Sequence, residues 1–302
     1  MQLPTLEKEN IPRGMLWMIC TMFLFVTMDT VAKHLSQTYP VFQVVWARFA
    51  FHLITVAILF RSQILQAVRS RNLKLQLIRS CLIVLTTFLF FTGLSRATLA
   101  TATTMMFLSP IYVTLLSIPI LGETVGLRRW LGVLAGFTGA LIIIRPGSDA
   151  FDSASLFLLA APLCNALYQL MTREARKYDS ENVTLLYTAV VGVLLTSATL
   201  PFNWVTPNAS AWVLLALTGA LGCISHLCLI RAFRSAPASA VVPLSYTSLI
   251  WATLYGYILF DNLPDGWTLT GAAIIVTSGA YIFFREHQIS NLDSKKDVES
   301  EI

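Results

Sequence analysis

Four side chains in the first two apolar runs could do chemistry that lipid-facing residues cannot: Asp29, Lys33, Arg48 and His52. Asp29 and Lys33 are spaced i,i+4, as are Arg48 and His52, so each pair shares one helix face. At ~1.5 Å rise per residue, Asp29 lies roughly 8 Å and Arg48 roughly 12 Å in from the outer ends of their runs, depths at which they could meet. A charge inside a bilayer is costly unless paired or hydrated. Two readings stay open. Asp29 and Arg48 are a charge pair facing a wet cavity and exchanging a partner when substrate arrives, or a structural ion pair locking two helices, with Lys33 snorkelling to the interface. His52, near mid-membrane, and His226, nearer the inner side, could relay a proton because histidine titrates near neutral pH, or they are neutral packing residues.

A second set lies on one stripe. Thr101, Thr104, Met105, Leu108, Ser109 and Tyr112 recur at i, i+3, i+4, i+7, i+8 and i+11. Hydroxyls and an aromatic face so arranged hydrogen-bond and stack on an organic solute; alternatively, Thr and Ser bond back to their own helix and the aromatics pack. Sliding the chain by 139 residues carries Phe107 to Tyr246, Ser109 to Ser248, Tyr112 to Trp251 and Leu116 to Tyr255. The mirrored set favours one cavity with two walls, Trp46 adding to it. Glu123, beside Gly122, is expected to cap the following helix or pair with Arg128. HExxH, GxSxG, a Walker lysine loop and Cys/His metal spacings are all missing, so neither enzyme, metal site nor cofactor is expected, and the chain cannot itself couple to ATP.

The elements that carry these residues follow from composition. Of 302 residues, 56% are hydrophobic and 12% charged, with mean hydropathy +0.68. Ordinary soluble domains carry about 25% charge, so the expected class is an all-α polytopic membrane protein. Ten apolar runs are long enough to span: 15–34, 40–60, 75–94, 98–121, 127–144, 153–172, 183–202, 209–230, 238–260 and 267–284. Pro110, Pro119, Pro162 and Pro243 fall inside runs and predict kinks. The five cysteines lie inside runs as small core residues. The net charge of +5 reflects topology, not nucleic acid. With the N-terminus cytoplasmic, 17 of the 21 Lys and Arg residues fall in inside segments (Arg79 among them), 3 outside, and Arg48 within a span. Both termini are therefore expected in the cytoplasm, and the N-terminus lacks the pattern of a removable signal peptide.

The shift of 139 gives 8 identities in the 49 pairs from 97 to 145. The matching order of spans and gaps adds weight. Five spans per half is an odd number, so two such halves enter the membrane from opposite sides, as in secondary transporters whose substrate sits at mid-membrane between them. The expected organisation is a cytoplasmic N-terminal segment 1–14, five-helix repeats at 15–145 and 153–284, and a solvated, poorly ordered polar tail 285–302. The glycines of the fifth and tenth spans, Gly132, Gly136 and Gly139 among them, permit a homodimer without requiring one.

AKHL (32–35), WARF (46–49), SRATLATATT (95–104), LSP (108–110) and LGE (121–123) occur in this order over ten spans, followed by RAFRSAPASAVVPLSYTSLIWATLYGYILFDNLPD (231–265). In these the chain resembles the EamA-type drug/metabolite transporter superfamily. The resemblance implies ten helices around a central cavity, with the fifth and tenth spans peripheral. It implies a multi-pass carrier in the inner (cytoplasmic) membrane, contacting membrane lipid, that moves a small organic metabolite by a gradient or exchange. The subgroup is similar to bacterial carriers of S-adenosylmethionine and, more distantly, of riboflavin; amino-acid and drug carriers belong to the same family. A lipid-modifying membrane enzyme would need paired acids or a nucleophile and base at one interface. A receptor without transport would have no accessible central path. The Gly-Glu turn of the first half is Asp261-Asn262 in the second, so symmetry does not extend to Glu123.

Overall fold

Helix starts and stops follow local chemistry. In the computed structural model, which describes residues 10–59, 70–121, 127–146, 152–175, 177–202 and 204–300, the described residues form twelve α-helices and two short 3₁₀ turns, with no strand. Helix α1 (Ile11–Leu35) starts where the Asn10 side chain accepts the Arg13 N–H, with Pro12 in its first turn. Helix α2 (Val41–Leu59) follows Pro40, and α3 (Leu73–Arg96) is capped by Asn72. The Thr98 side chain caps α4 (Leu99–Met106), which is followed by α5 (Ser109–Leu121) and α6 (Leu127–Ile144). Next come α7 (Ala154–Ala175), α8 (Glu181–Ser197) and α9 (Ala209–Ser235), the last capped by Asn208. The chain ends with α10 (Ala238–Val241), a 3₁₀ turn Val242–Tyr246, α11 (Thr247–Phe260) and α12 (Gly266–Ser300). Asp261, left-handed at φ 51°, ends α11.

Among the described residues, six stretches are long and apolar enough to cross a membrane: α1, α2, α3, Leu99–Leu116, α7 and α9. Shorter apolar helices add Trp130–Ile144, Glu181–Ser197 and Gly266–Ile282. The outer surface is apolar, with Ile58, Leu194, Val213 and Ile250 well exposed, as lipid-facing positions require. The molecule is an all-helical, multi-pass membrane protein.

Three features differ from the sequence reading. The expected fourth span is two helices: Phe107 and Leu108 turn between them, their N–H groups bonding Thr104 and Met105 carbonyls at 3.0 and 3.1 Å. Pro110 explains the break, since its ring clashes with the carbonyl of Met106 and it has no N–H to donate. The expected ninth span breaks likewise at the turn containing Pro243, whereas α7 runs through Pro162. Helix α12 continues to Ser300, through most of the tail 285–302 expected to be poorly ordered. Glu123 lies outside the described residues, as does most of the 1–14 segment. Of the cysteines, Cys223 and Cys228 are buried, but Cys81 faces outward.

The helices pack α1 on α9, α3 on α7, α1 on α11, α5 on α7, and α2 between α8 and α9. Segments from one end of the bundle touch one another: the Asn10 N–H donates to the Ser235 carbonyl (2.8 Å), Arg234 pairs with Glu181 (3.2 Å), and Asp179 accepts from Ser70 and the Arg71 N–H. At the other end Arg96 pairs with Asp152, Arg145 with Asp265 (2.7 Å), and Gln43 exchanges two hydrogen bonds with the backbone of Val205.

Helices α6 and α12 meet backbone to backbone. A Cβ on Gly271 would lie 2.6 Å from the Gly139 carbonyl oxygen, and one on Gly139 would lie 2.9 Å from that of Gly271. The Ser278 hydroxyl donates to the Gly132 carbonyl. The glycines expected to leave room for a homodimer are thus filled by the chain's own helix, because close approach pays in van der Waals contact wherever a glycine face finds a partner.

Candidate functional site

Helix α2 is held close to two neighbours by missing side chains. A Cβ on Gly192 of α8 would lie 2.4 Å from the Phe49 ring, and one on Gly219 of α9 would lie 2.4 Å from Phe51 Cβ and 2.6 Å from the backbone nitrogen of His52. This wedge sets Arg48 and His52 inside the bundle, at 7% and 5% exposure. The Arg48 guanidinium donates to the Thr87 hydroxyl of α3 and lies 5.1 Å from the Phe49 ring centroid and 6.0 Å from that of Phe91. The His52 ring meets that of His226 edge-on at 6.2 Å, and His226 meets Phe25 at 5.1 Å. Arg48 Nε and His52 Nε2 are buried without a hydrogen-bond partner, whereas the backbone of Gly222 is within reach of the His226 ring. Two orphaned polar atoms in one cluster mark a place for water or a solute.

Asp29, half-buried on α1, interacts electrostatically with Arg48. The expected ion pair is not formed: among the described residues no pair within 4 Å joins Asp29 to Arg48 or Lys33. Lys33 neither pairs nor snorkels. Its ammonium donates to the Leu94 and Ala97 carbonyls (3.0 and 2.6 Å), capping the C-terminus of α3.

The stripe divides. Thr104 bonds back to the Ala100 carbonyl (2.8 Å), Thr101 accepts from Thr98, and Met105 is fully buried packing. Ser109 is a true inter-helix contact, accepting from Asn165 (3.0 Å) and Gln169 (2.9 Å) of α7. The Tyr112 hydroxyl donates to the Leu159 carbonyl and its ring packs on Phe137 at 5.3 Å. Trp251 turns instead to Phe23 of α1 (5.2 Å), and Tyr255 hydrogen-bonds Thr27. Tyr112 and Trp251 therefore do not pair across one space; each follows the helix packed against its own side. Tyr246 does meet its shift mate, Phe107, with rings at 4.9 Å. Trp46 donates to the Ser197 hydroxyl (3.0 Å) and joins Trp204 and Trp212 in an aromatic cluster. A surface pocket of about 130 Å³ between the α1–α2 turn and the start of α9 contains none of these residues. No metal-binding group occurs among the described residues.

One functional-looking residue escaped the sequence reading. Arg79, counted there as an inside-facing charge, is fully buried between α3, α7 and α8. It donates to Gln76 (2.7 Å), the Thr184 carbonyl (3.0 Å), Thr188 (2.9 Å), Thr172 (3.2 Å) and the Tyr168 hydroxyl (3.2 Å). The signal was available: Gln76, Arg79, Ser80 and Thr87 form a polar stripe at helical spacing.

An all-helical bundle that spans the membrane and keeps unpaired charged and polar groups in its interior has the layout of a membrane transport protein. The profile of the EamA-like transporter family matches residues 12–145 and again 152–284, and the chain belongs to that family. It is a small-molecule transporter. Among its relatives, the S-adenosylmethionine uptake transporter of Rickettsia prowazekii (strain Madrid E) is 25% identical over 273 residues, 90% of this chain and 93% of that protein. The riboflavin transporter of Vibrio cholerae serotype O1 is 30% identical over 287 residues, 91% and 94% of the two chains. The pseudopaline exporter CntI of Pseudomonas aeruginosa (strain UCBPP-PA14) is 24% identical over 278 residues, 89% and 95%. A solved crystal structure shares the fold with a TM-score of 0.64 at 17% identity, covering 91% of this chain and 98% of the other.

Proposed function

We propose that the protein is a secondary carrier of the cytoplasmic membrane that moves a small heteroaromatic metabolite, S-adenosylmethionine or a similar compound, by alternating access. The observation that carries this is the interior cluster of Arg48, His52 and His226, in which Arg48 Nε and His52 Nε2 have no hydrogen-bond partner, with the half-buried Asp29 in electrostatic reach of Arg48.

The architecture that suits such a carrier is ten spans in two inverted repeats with both termini cytoplasmic. Three regularities support it. Advancing α5 by 139 residues gives 248–260, against Thr247–Phe260 for α11, and advancing α2 gives 180–198, against Glu181–Ser197 for α8. The pairing of α1 with α9 becomes that of α7 with α3 when the halves are exchanged, and α1 with α11 becomes α7 with α5. Phe107 and Tyr246, mates under the shift, touch where both broken spans turn, the place a two-fold axis would cross. The asymmetric Lys and Arg distribution sets the orientation. Trp46, Thr104, Met105, Ser109, Tyr112, Tyr246 and Trp251 then line or brace the path, and Asp29, Arg48 and His52 serve recognition or coupling.

Riboflavin is the second reading, favoured by the 30% identity to a riboflavin transporter. The test is counterflow in proteoliposomes loaded with unlabelled S-adenosylmethionine or riboflavin, with and without proton and sodium gradients. Accumulation of the labelled compound is expected; no gradient- or exchange-dependent flux of either, or of a wider metabolite panel, would refute a carrier.

A further inference from the structure

Helix α7 carries a polar face along a membrane span: Asn165, Tyr168, Gln169 and Thr172 recur at i, i+3, i+4 and i+7. Its two rows are used differently. Tyr168 and Thr172 are taken up by the buried Arg79 of α3. Asn165 and Gln169 both reach the Ser109 hydroxyl, at 3.0 and 2.9 Å, where the broken span resumes as α5. Ser109 is buried, Asn165 is half-buried and Gln169 is exposed.

This trio is left with unmet hydrogen-bonding groups. A hydroxyl has one hydrogen, and a carboxamide sets two N–H donors beside a carbonyl. Whichever way the two amides are turned, Ser109 can donate to only one of them, so at least one carboxamide oxygen has no partner. As placed, both amides donate to Ser109. Both carboxamide oxygens and the Ser109 hydrogen then remain free, since the three side chains make no other hydrogen bond among the described residues. A tie between α5 and α7 would need only one of these bonds. Lipid tails cannot satisfy an amide, and Gln169 sits roughly 9 Å in from the Ala175 end of α7. Its exposed side therefore opens on a polar path.

We propose that Ser109, Asn165 and Gln169 form a specificity-determining subsite for a planar heterocycle whose edge sets a donor beside an acceptor, such as the amidine edge of adenine or the lactam edge of a flavin. It rests on the carrier reading and assigns the residues that read the ring of its solute. A carboxamide presents the complementary pair, and Asn and Gln bind adenine in this bidentate way. One N–H of Gln169 holds Ser109 and fixes the amide plane, which leaves the other N–H and the carbonyl for the solute. Asn165 holds Ser109 from the same helix, so the hydroxyl hydrogen is free for a further acceptor on the ring. An edge without its donor would leave the Gln169 carbonyl unmet, and that is the source of selectivity.

The test is isothermal titration of the purified full-length chain with S-adenosylmethionine and riboflavin, each beside a masked form. The masked forms have the exocyclic amine of the first dimethylated and the lactam nitrogen of the second methylated. Flux of the same labelled compounds is followed in proteoliposomes. At least one intact solute is expected to bind, and masking its edge should weaken binding about 10- to 100-fold, the worth of a bidentate base contact. Gln169→Met keeps the side-chain length and removes the amide. It should weaken the intact solute by that same factor and leave the masked one unchanged, whereas steric crowding or a purely structural role would move both together. The masked solutes test the wild-type chain directly, should the variant fail to fold. Equal affinity for intact and masked solutes, equal losses for both in the variant, or no binding of either intact solute would overturn the subsite. Edge-selective binding without flux would keep the subsite and sink the carrier reading; flux that ignores both masking and Gln169→Met would do the reverse.

Discussion

Replacing Arg79 with alanine should destabilise the protein more than any surface charge change. The guanidinium is fully buried, makes five hydrogen bonds to neutral groups and lies 5.1 Å from the Tyr168 ring centroid. No carboxylate touches it among the described residues; Asp179 is one link away, through Gln76 (2.9 Å). Alanine would leave the acceptors on Gln76, Thr172, Thr184, Thr188 and Tyr168 facing a hole. Thr188 already donates to the Thr184 carbonyl, so part of the network can re-aim. Summing five charged hydrogen bonds would overstate the loss, because neighbouring partners are not additive; a cost of about 3–5 kcal/mol, the upper range for breaking a buried hydrogen-bond network, is expected. At roughly 2 °C per kcal/mol for a chain of this size, the unfolding midpoint should fall on the order of 8 °C. Thermal unfolding of the detergent-solubilised protein, followed by size-exclusion fluorescence, reads this directly. Arg79→Lys keeps the charge but offers three donors from one point instead of a planar fork, and should fall between the two. A drop below about 2 °C for Arg79→Ala, or wild-type behaviour of both variants, would show that the network does not hold α3, α7 and α8 together.

Other perturbations separate the remaining contacts. Burial alone would raise the Asp179 carboxyl, but hydrogen bonds from Ser70, the Arg71 N–H and Gln76 hold it below its ordinary value of 3.8. Its contribution is therefore present above pH 3.8 and lost as pH falls through the lower folded value, so the midpoint gap between wild type and Asp179→Asn should close under acid; a gap constant with pH would contradict this. Lys33→Met uncaps the last carbonyls of α3 and should cost about 1–3 kcal/mol in thermal unfolding, against no change if Lys33 merely snorkels. Gly271→Ala drives a methyl into the Gly139 carbonyl and should cost about 1–3 kcal/mol. Gly266→Ala, with nothing within 4 Å, should be neutral, and equal midpoints for the two glycine variants would refute the close contact.

That the chain crosses a membrane several times was legible because lipid imposes a length and an apolar composition, and the prolines marked where two of the runs bend. Their complete breaks were less legible, since Pro110 and Pro162 look alike in sequence; only the turn at Phe107 and Leu108 distinguishes a broken span from the continuous α7. Asp29, Arg48 and His52 stood out as polar residues in apolar surroundings; Arg48 and His52 lie in the interior, and Asp29 is half-buried. How closely α2 is seated against α8 and α9 depends on Gly192 and Gly219, a packing detail with no periodic signature. Arg79 was hidden for the opposite reason. A cation near the inner end of a span reads as a topology signal, and its five partners come mostly from helices about 90 to 110 residues away. Tyr112 and Trp251 correspond under the shift, but correspondence fixes equivalent places and not a shared neighbour.

The α6–α12 contact has a consequence for the lipid around the protein. Two helices touching at Gly139 and Gly271 resist sliding, because the side chains one turn on along the same face are already in contact: Ile143 and Ile275 stand 2.5 and 2.9 Å from where a Cβ on Gly271 and on Gly139 would lie. Arg145 and Asp265 pin the same pair at its end. The exposed Leu131, Leu134 and Leu141 of α6 therefore present the surrounding lipid with an apolar face whose height is set by the locked register of the two helices, so a change of membrane thickness is met there by the bilayer and not by sliding of the pair.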